Sequence, residues 1–142
     1  MIPRTHIIKI AEDTGLRMWQ NQWANTTNGR VSKSFFPSVQ ERLKQRIPLS
    51  GQVTAFLTGH GKTREYYNRF KIADSTMCKC QLGNQTVNHL IYECNLLNNE
   101  RLVLEQNIRL KGAQWPVTNY ELVKYHLQEF LTFVNKIDFE KL

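Results

Sequence analysis

Apolar residues recur along the chain at helical intervals, and polar or glycine-containing breaks cut the pattern into short segments. Between Ala11 and Asn25, Leu16, Trp19 and Trp23 fall at i, i+3 and i+7, which predicts a helix with an indole-bearing core stripe. Residues Asn25 to Arg30 read as a turn in which Asn28-Gly29 supplies the positive φ of a tight reversal. Pro37 suits the first position of a helix whose inner face is Val39, Leu43 and Ile47, with Arg42, Lys44 and Arg46 outside it and Pro48 as its stop. Ser50 predicts the N-cap of a helix carrying Val53, Phe56 and Leu57 and closed by Gly59, and Thr63 caps another through Tyr66, Tyr67 and Phe70.

The second half continues in the same way. Thr86 predicts an N-cap for a helix with Leu90 and Ile91 on its inner side. Asn98 or Asn99 opens one that runs to about Lys111 with Leu102, Leu104 and Ile108, and Gly112 ends it. Trp115-Pro116 makes a bend, and Asn119 opens a last helix whose broad stripe is Leu122, Tyr125, Phe130, Phe133, Val134 and Ile137. No period-2 strand, internal repeat or low-complexity tract interrupts these segments. The pattern predicts an all-α fold: a single small helical domain over residues 1–142, a length that suits one hydrophobic core.

One stretch departs from helical periodicity and holds every cysteine of the chain. Cys78, Cys80, His89 and Cys94 form C-x-C-x8-H-x4-C, with Gly83-Asn84 as the turn between its halves. Three thiolates and an imidazole satisfy the tetrahedral preference of Zn2+, which predicts a zinc knuckle embedded at residues 78–94. A site closed by four protein ligands leaves no position for water or substrate, so the metal is expected to hold the fold. Its formal charge of minus one falls near Lys71 and Lys79. His89 to Cys94 is i to i+5, so Cys94 is expected in a frayed or tightened last turn.

Charge adds a second feature. Residues 30–71 hold nine cations against two carboxylates, and this block accounts for the whole net charge of +7, because the flanks cancel. Such a block is the electrostatic footprint of a polyanion, since each neutralised phosphate releases condensed counterions. The candidate phosphate contacts are Arg30, Lys33, Arg42, Lys44, Arg46, Lys62, Arg64, Arg69 and Lys71, with Lys79 inside the knuckle; Tyr66 or Tyr67 could stack on a base. Gly59-His60-Gly61-Lys62-Thr63 is not a phosphate-binding P-loop, because Phe56 stands where its first glycine belongs.

The residues that surround the cysteines resemble a known family. Trp19, Trp23, Gly29-Arg30, Phe36-Pro37, Thr58-Gly59-His60-Gly61, Arg69-Phe70-Lys71-Ile72-Ala73-Asp74 and then Thr86-Val87-Asn88-His89-Leu90-Ile91 with Cys94 resemble the C-terminal zinc-knuckle segment of arthropod, jockey-like non-LTR retrotransposon polyproteins. The resemblance covers roughly residues 16–111, and the family commonly has proline where this chain has Asn95. It implies a segment lying downstream of reverse transcriptase and ribonuclease H domains, with the four cysteine and histidine residues as knuckle ligands and a role in holding RNA or target DNA.

Two function classes follow, with a third disfavoured. The first is a zinc-stabilised module that binds single-stranded RNA or DNA. The alternative is a zinc-stapled helical module that docks a protein partner through exposed aromatic surface. An enzyme is not expected, because Glu93, Glu100, Glu105, Glu121 and Glu129 are scattered along helices and His6, His60 and His126 have no evident catalytic partner. The absence of a long apolar run and of a signal-peptide h-region leads to the expectation of an intracellular protein, nuclear or cytoplasmic, without a membrane role.

Overall fold

A computed structural model describes residues 1–142. The chain forms nine α-helices: α1 Arg4–Asn25, α2 Arg30–Phe35, α3 Val39–Lys44, α4 Gly51–Thr58, α5 Arg64–Arg69, α6 Val87–Tyr92, α7 Asn98–Leu110, α8 Asn119–Tyr125 and α9 Leu127–Lys136. A 3-10 turn at Asn95–Leu97 leads into α7, and the only β-pairing is an isolated antiparallel bridge between Met77 and Asn84. The fold is therefore helical, as the periodicity predicts. No helix is long and apolar enough to cross a membrane.

Helix α9 is the hub, packing against α7, α4 and α8, while α2 packs on α8 and α4. Phe130 on α9 lies 5.6 Å from the ring of Phe35 on α2 and 6.5 Å from that of Phe56 on α4, so three elements meet at one aromatic contact. Glutamine side chains close the helix ends around it. Gln52 donates to the carbonyls of Val134 and Ile137 at the end of α9, and Gln45 donates to that of Val123 in α8. They supply donors to carbonyls at the C-terminal ends of α9 and α8, where the helix offers few N–H groups. Phe130→Ala should lower unfolding free energy by about 3–5 kcal/mol, because the ring is fully buried and packs on rings from two other helices; chemical denaturation with an unchanged m-value would measure it.

Local signals located several boundaries. Ser50, Thr63 and Thr86 all cap as predicted, accepting from the third backbone N–H onward, and Gly59 closes α4 at φ 69°. Gly59 must stay small, because a Cβ there would meet Val31 at 2.8 Å. Other boundaries move. Helix α3 starts after Ser38, which accepts from Glu41 N, and ends before Ile47, leaving Leu43 exposed. Phe70 lies just beyond α5 and is 55% exposed. Helix α7 begins with no side-chain cap; Asn98 instead accepts from Arg101. The predicted last helix is two helices broken at His126, and Thr118, through a capping box with Glu121, opens the first.

Helix α1 departs furthest from expectation. It begins at Arg4, and none of its residues is buried. The Leu16, Trp19 and Trp23 stripe is not a core stripe: Trp19 is 51% exposed, and Trp23 is half-buried with its indole N–H donated to Phe36 O at 2.7 Å. The reason is topological, since α1 packs chiefly on α3, itself at the margin of the fold. Short α2 carried no clear sequence signal and supplies the buried Phe35.

Candidate metal centre and the cationic surface beside it

The loop before α6 folds back on itself through Cys78 N to Gly83 O (2.8 Å) and Gln85 N to Thr76 O (2.8 Å). Gln81 takes a left-handed φ of 63°, which makes the tight C-x-C reversal possible, and Leu82 N donates to the sulfur of Cys80. Thr86 then starts α6 by accepting from His89 N at 3.0 Å. The helix stops at Tyr92. Both Glu93 N and Cys94 N donate to His89 O, and Cys94 continues in extended backbone at φ −61°, ψ 118°. The last turn is thus frayed and widened, not tightened, and this turns Cys94 back toward His89.

The donor atoms of Cys78, Cys80, His89 and Cys94 all lie within 4.8 Å of one another. Cys78 Sγ is 3.7 Å from Cys94 Sγ, and Cys80 Sγ is 3.2 Å from His89 Nε2. An edge of about 3.8 Å is what two sulfurs make around a tetrahedral ion at ~2.3 Å. The four residues can therefore hold a metal ion. Cys78 and Cys94 are also part of the main hydrophobic core, so the centre is continuous with the packing of α4, α7 and α9.

Three residues outside the motif organise it. Glu93 pairs with His89 Nδ1 at 3.2 Å, which orients the ring with Nε2 toward the sulfur of Cys80. Arg101, buried on the inner face of α7 with Leu104 and Ile108, donates to the carbonyls of Ile91 (2.8 Å), Leu90 (3.2 Å) and Cys94 (2.6 Å). It places a cation beside the thiols, where Lys79 instead donates to Glu140 O. Burial lowers the pKa of this guanidinium, opposed by the field of Cys94. Gln85 donates to Cys78 Sγ at 3.7 Å, while its side-chain and main-chain oxygens accept from Arg64 N and Glu65 N, fixing the first turn of α5 to the loop. An arginine within an apolar stripe was a readable signal. A glutamine in a loop was not.

Electrostatics divide the thiols. Burial pushes Cys94 up to about 12, and desolvation resists ionisation of Cys80 but is outweighed by the Leu82 N–H and the neighbouring Cys78, His89 and Cys94, bringing it to about 7. A metal must displace every thiol proton still present. Below about pH 7 Cys80 adds one more proton to that number, so metal affinity should fall more steeply with acid there than above it; titration against a competing chelator across pH measures the slope.

The ten candidate cations fall in two groups along the chain. Arg30, Lys33, Arg42, Lys44 and Arg46 belong to α2, α3 and the segment after α3; Lys62, Arg64, Arg69, Lys71 and Lys79 belong to α5, its flanks and the metal loop. Lys33 donates to Thr26 O, Arg42 to Gln45 O and Arg64 to Met77 O. None of the ten pairs with a carboxylate; the five ion pairs of the protein involve other residues. Around α5 the cations surround an aromatic cluster in which Tyr66 lies 4.8 Å from Phe70 and 5.6 Å from His60. Lys62 and Lys71, either side of it, both take left-handed φ, at 67° and 57°. Phe70 is the most open aromatic ring of this group, whereas Tyr66 and Tyr67 are half-buried.

The chain is similar to retrotransposon proteins. It is 32% identical over 87 residues to a "Retrovirus-related Pol polyprotein from type-1 retrotransposable element R1" of Popillia japonica, covering 61% of this chain and 34% of that protein. A polyprotein of the same name from Bradysia coprophila is 30% identical over 87 residues, 61% of this chain and 9% of its own length. One from Nasonia vitripennis, element R1 3, is 23% identical over 112 residues, 78% of this chain and 29% of its own length. This chain thus spans about a third or less of the length of these relatives, all of them named for the type-1 retrotransposable element R1. No family model and no solved structure matches.

Proposed function

We propose that the chain is a zinc-stabilised module that binds single-stranded RNA or DNA within, or derived from, a retrotransposon polyprotein, corresponding to the knuckle segment downstream of its polymerase and ribonuclease H parts. The observation that carries this reading is the face formed by α5 and the metal loop. Unpaired cations there flank an aromatic cluster whose Phe70 ring is exposed, the combination that tracks a phosphate backbone while stacking its bases. Three thiols and one imidazole suit zinc among biological metals, and four protein ligands make the site structural. When bound, the ion would fix the loop; Cys78, Cys80, His89 and Cys94 would hold it, and Glu93 and Arg101 would orient the helix that presents two of them.

The reading is one of binding without catalysis. Glu41, Glu105, Glu129 and Asp138 are engaged in ion pairs, and the one cluster of metal-binding side chains is closed by its own four residues. The test is the affinity of the zinc-loaded protein for labelled single-stranded RNA and DNA across a salt series. A steep linear fall of log affinity with log salt is expected, and charge reversal at Arg64 and Lys71 should weaken binding and flatten the slope. Unchanged affinity in that double variant would sink the assignment.

A second reading rests on α1. Ile7, Ile8, Ile10 and Met18 are all exposed on this marginal helix, and an apolar face of that kind suits a protein partner. Binding through it would be far less sensitive to salt.

A further inference from the structure

A separate cavity of about 260 Å3 opens between α1, α3 and α4. Trp19, Trp23, Phe36 and Leu43 supply aromatic and aliphatic walls, and the openness is real, since Trp19 and Leu43 are 51% and 58% exposed. Two of the walls are fixed. Trp23 is pinned by its bond to Phe36 O, and Arg42 holds its guanidinium 5.0 Å from the centroid of the Phe36 ring. Ser32 and Thr54 add hydroxyls to the lining, and no carboxylate borders it.

We infer that this cavity takes one unstacked nucleobase of a single-stranded nucleic acid, with Trp19 as the stacking surface and Arg42 between base and backbone. The occupant is chosen by charge. The wall residue Arg42 is the one cation of the lining and has no carboxylate partner, so a ligand seated here sits beside an unneutralised guanidinium. A nucleotide presents a flat π-face to the indole and a phosphate to that guanidinium, whereas an apolar side chain of a protein would leave it without a counterpart. Aromatic walls with a few hydroxyls at the edge also match a heterocycle whose rim carries hydrogen-bonding groups. The inference rests on the nucleic-acid reading above but places a contact on a face that does not include α5 or the metal loop.

The experiment uses the zinc-loaded protein with short labelled oligouridylate and oligothymidylate, each compared with the same strand carrying an abasic position. Trp19→Ala should bind intact strands about tenfold more weakly and lose the distinction between intact and abasic strands, while Trp19→Phe, which keeps a ring, should stay within about twofold of the parent. The salt slope should be unchanged by Trp19→Ala and reduced by about one in Arg42→Gln. Circular dichroism should be unaltered in each, as Trp19 is outside the core. If Trp19→Ala binds like the parent while Phe70→Ala is impaired, the cavity assignment is overturned and the α5 face stands. If the parent binds neither strand, both are overturned. Quenching of Trp19 by a leucine-rich amphipathic peptide and not by either oligonucleotide would also overturn it, in favour of a protein partner.

Discussion

Cys80→Ser should lose the metal and, with it, the order of the whole loop from Thr76 to Cys94. Structural zinc in small domains supplies ~10–16 kcal/mol of apparent binding free energy, as large as the whole net stability of a typical domain, ~5–15 kcal/mol. The loop has little else to hold it. Its backbone is closed by a few hydrogen bonds and one isolated bridge, and two of its donors, Cys78 and Cys94, stand in the hydrophobic core, so loss of the ion would be felt there as well. A lower and broader melting transition is expected, with metal content reduced below one ion per chain. His89→Ala should act in the same direction, through the core as well as through the ion. Unchanged melting together with unchanged metal content in Cys80→Ser would show that these four residues are not a metal site.

Arg101→Ala should be nearly as damaging by a different route. The guanidinium satisfies three carbonyls at the end of α6 and just beyond it, where the helix has run out of N–H donors. Removing it strips its bonds from Leu90 O and Ile91 O and leaves Cys94 O with only the Leu97 N–H, and hydrogen bonds from a charged donor are worth ~1.5–3 kcal/mol each. A loss of about 3 kcal/mol is expected in chemical denaturation. Arg101→Lys should recover only part of it, because one ammonium cannot reproduce a planar fork that reaches Leu90, Ile91 and Cys94 at once. Metal affinity should fall in both variants, since the position of Cys94 depends on the carbonyl that Arg101 grips. If Arg101→Ala unfolds at the parent's midpoint, the three bonds contribute nothing to the folded state.

What could be read from the sequence was what neighbours in the chain decide. Ser50, Thr63 and Thr86 cap by reaching three residues ahead, and Gly59 ends α4 because its own backbone is left-handed; none of these depends on the rest of the fold. The four side chains that can hold a metal ion were legible because thiols are scarce and all of them stand in one stretch. Helix α1 was misjudged for the converse reason. Periodicity tells which face of a helix is apolar, but burial requires something to cover that face, and for Trp19 nothing does. The break at His126 was hidden inside a stripe that stays in phase across it, so that Leu122 and Phe130 are both buried on either side of a kink. Gln85 was invisible because its partners come from three places: a sulfur, the start of α5 and the opposite arm of the loop.

That glutamine makes the metal and the cationic face a single thermodynamic system. Its amide touches Cys78 Sγ, and its two oxygens receive the first N–H groups of α5. Order in the loop is therefore order in the helix that carries Arg64 and Arg69. Linkage between the two is reciprocal: by whatever factor a bound ion tightens the grip of α5 on a strand, the strand must slow or weaken the departure of the ion by the same factor in equilibrium. A retrotransposon-type protein built this way would be most retentive of its metal while engaged, and most exposed to chelation when its cationic face is empty.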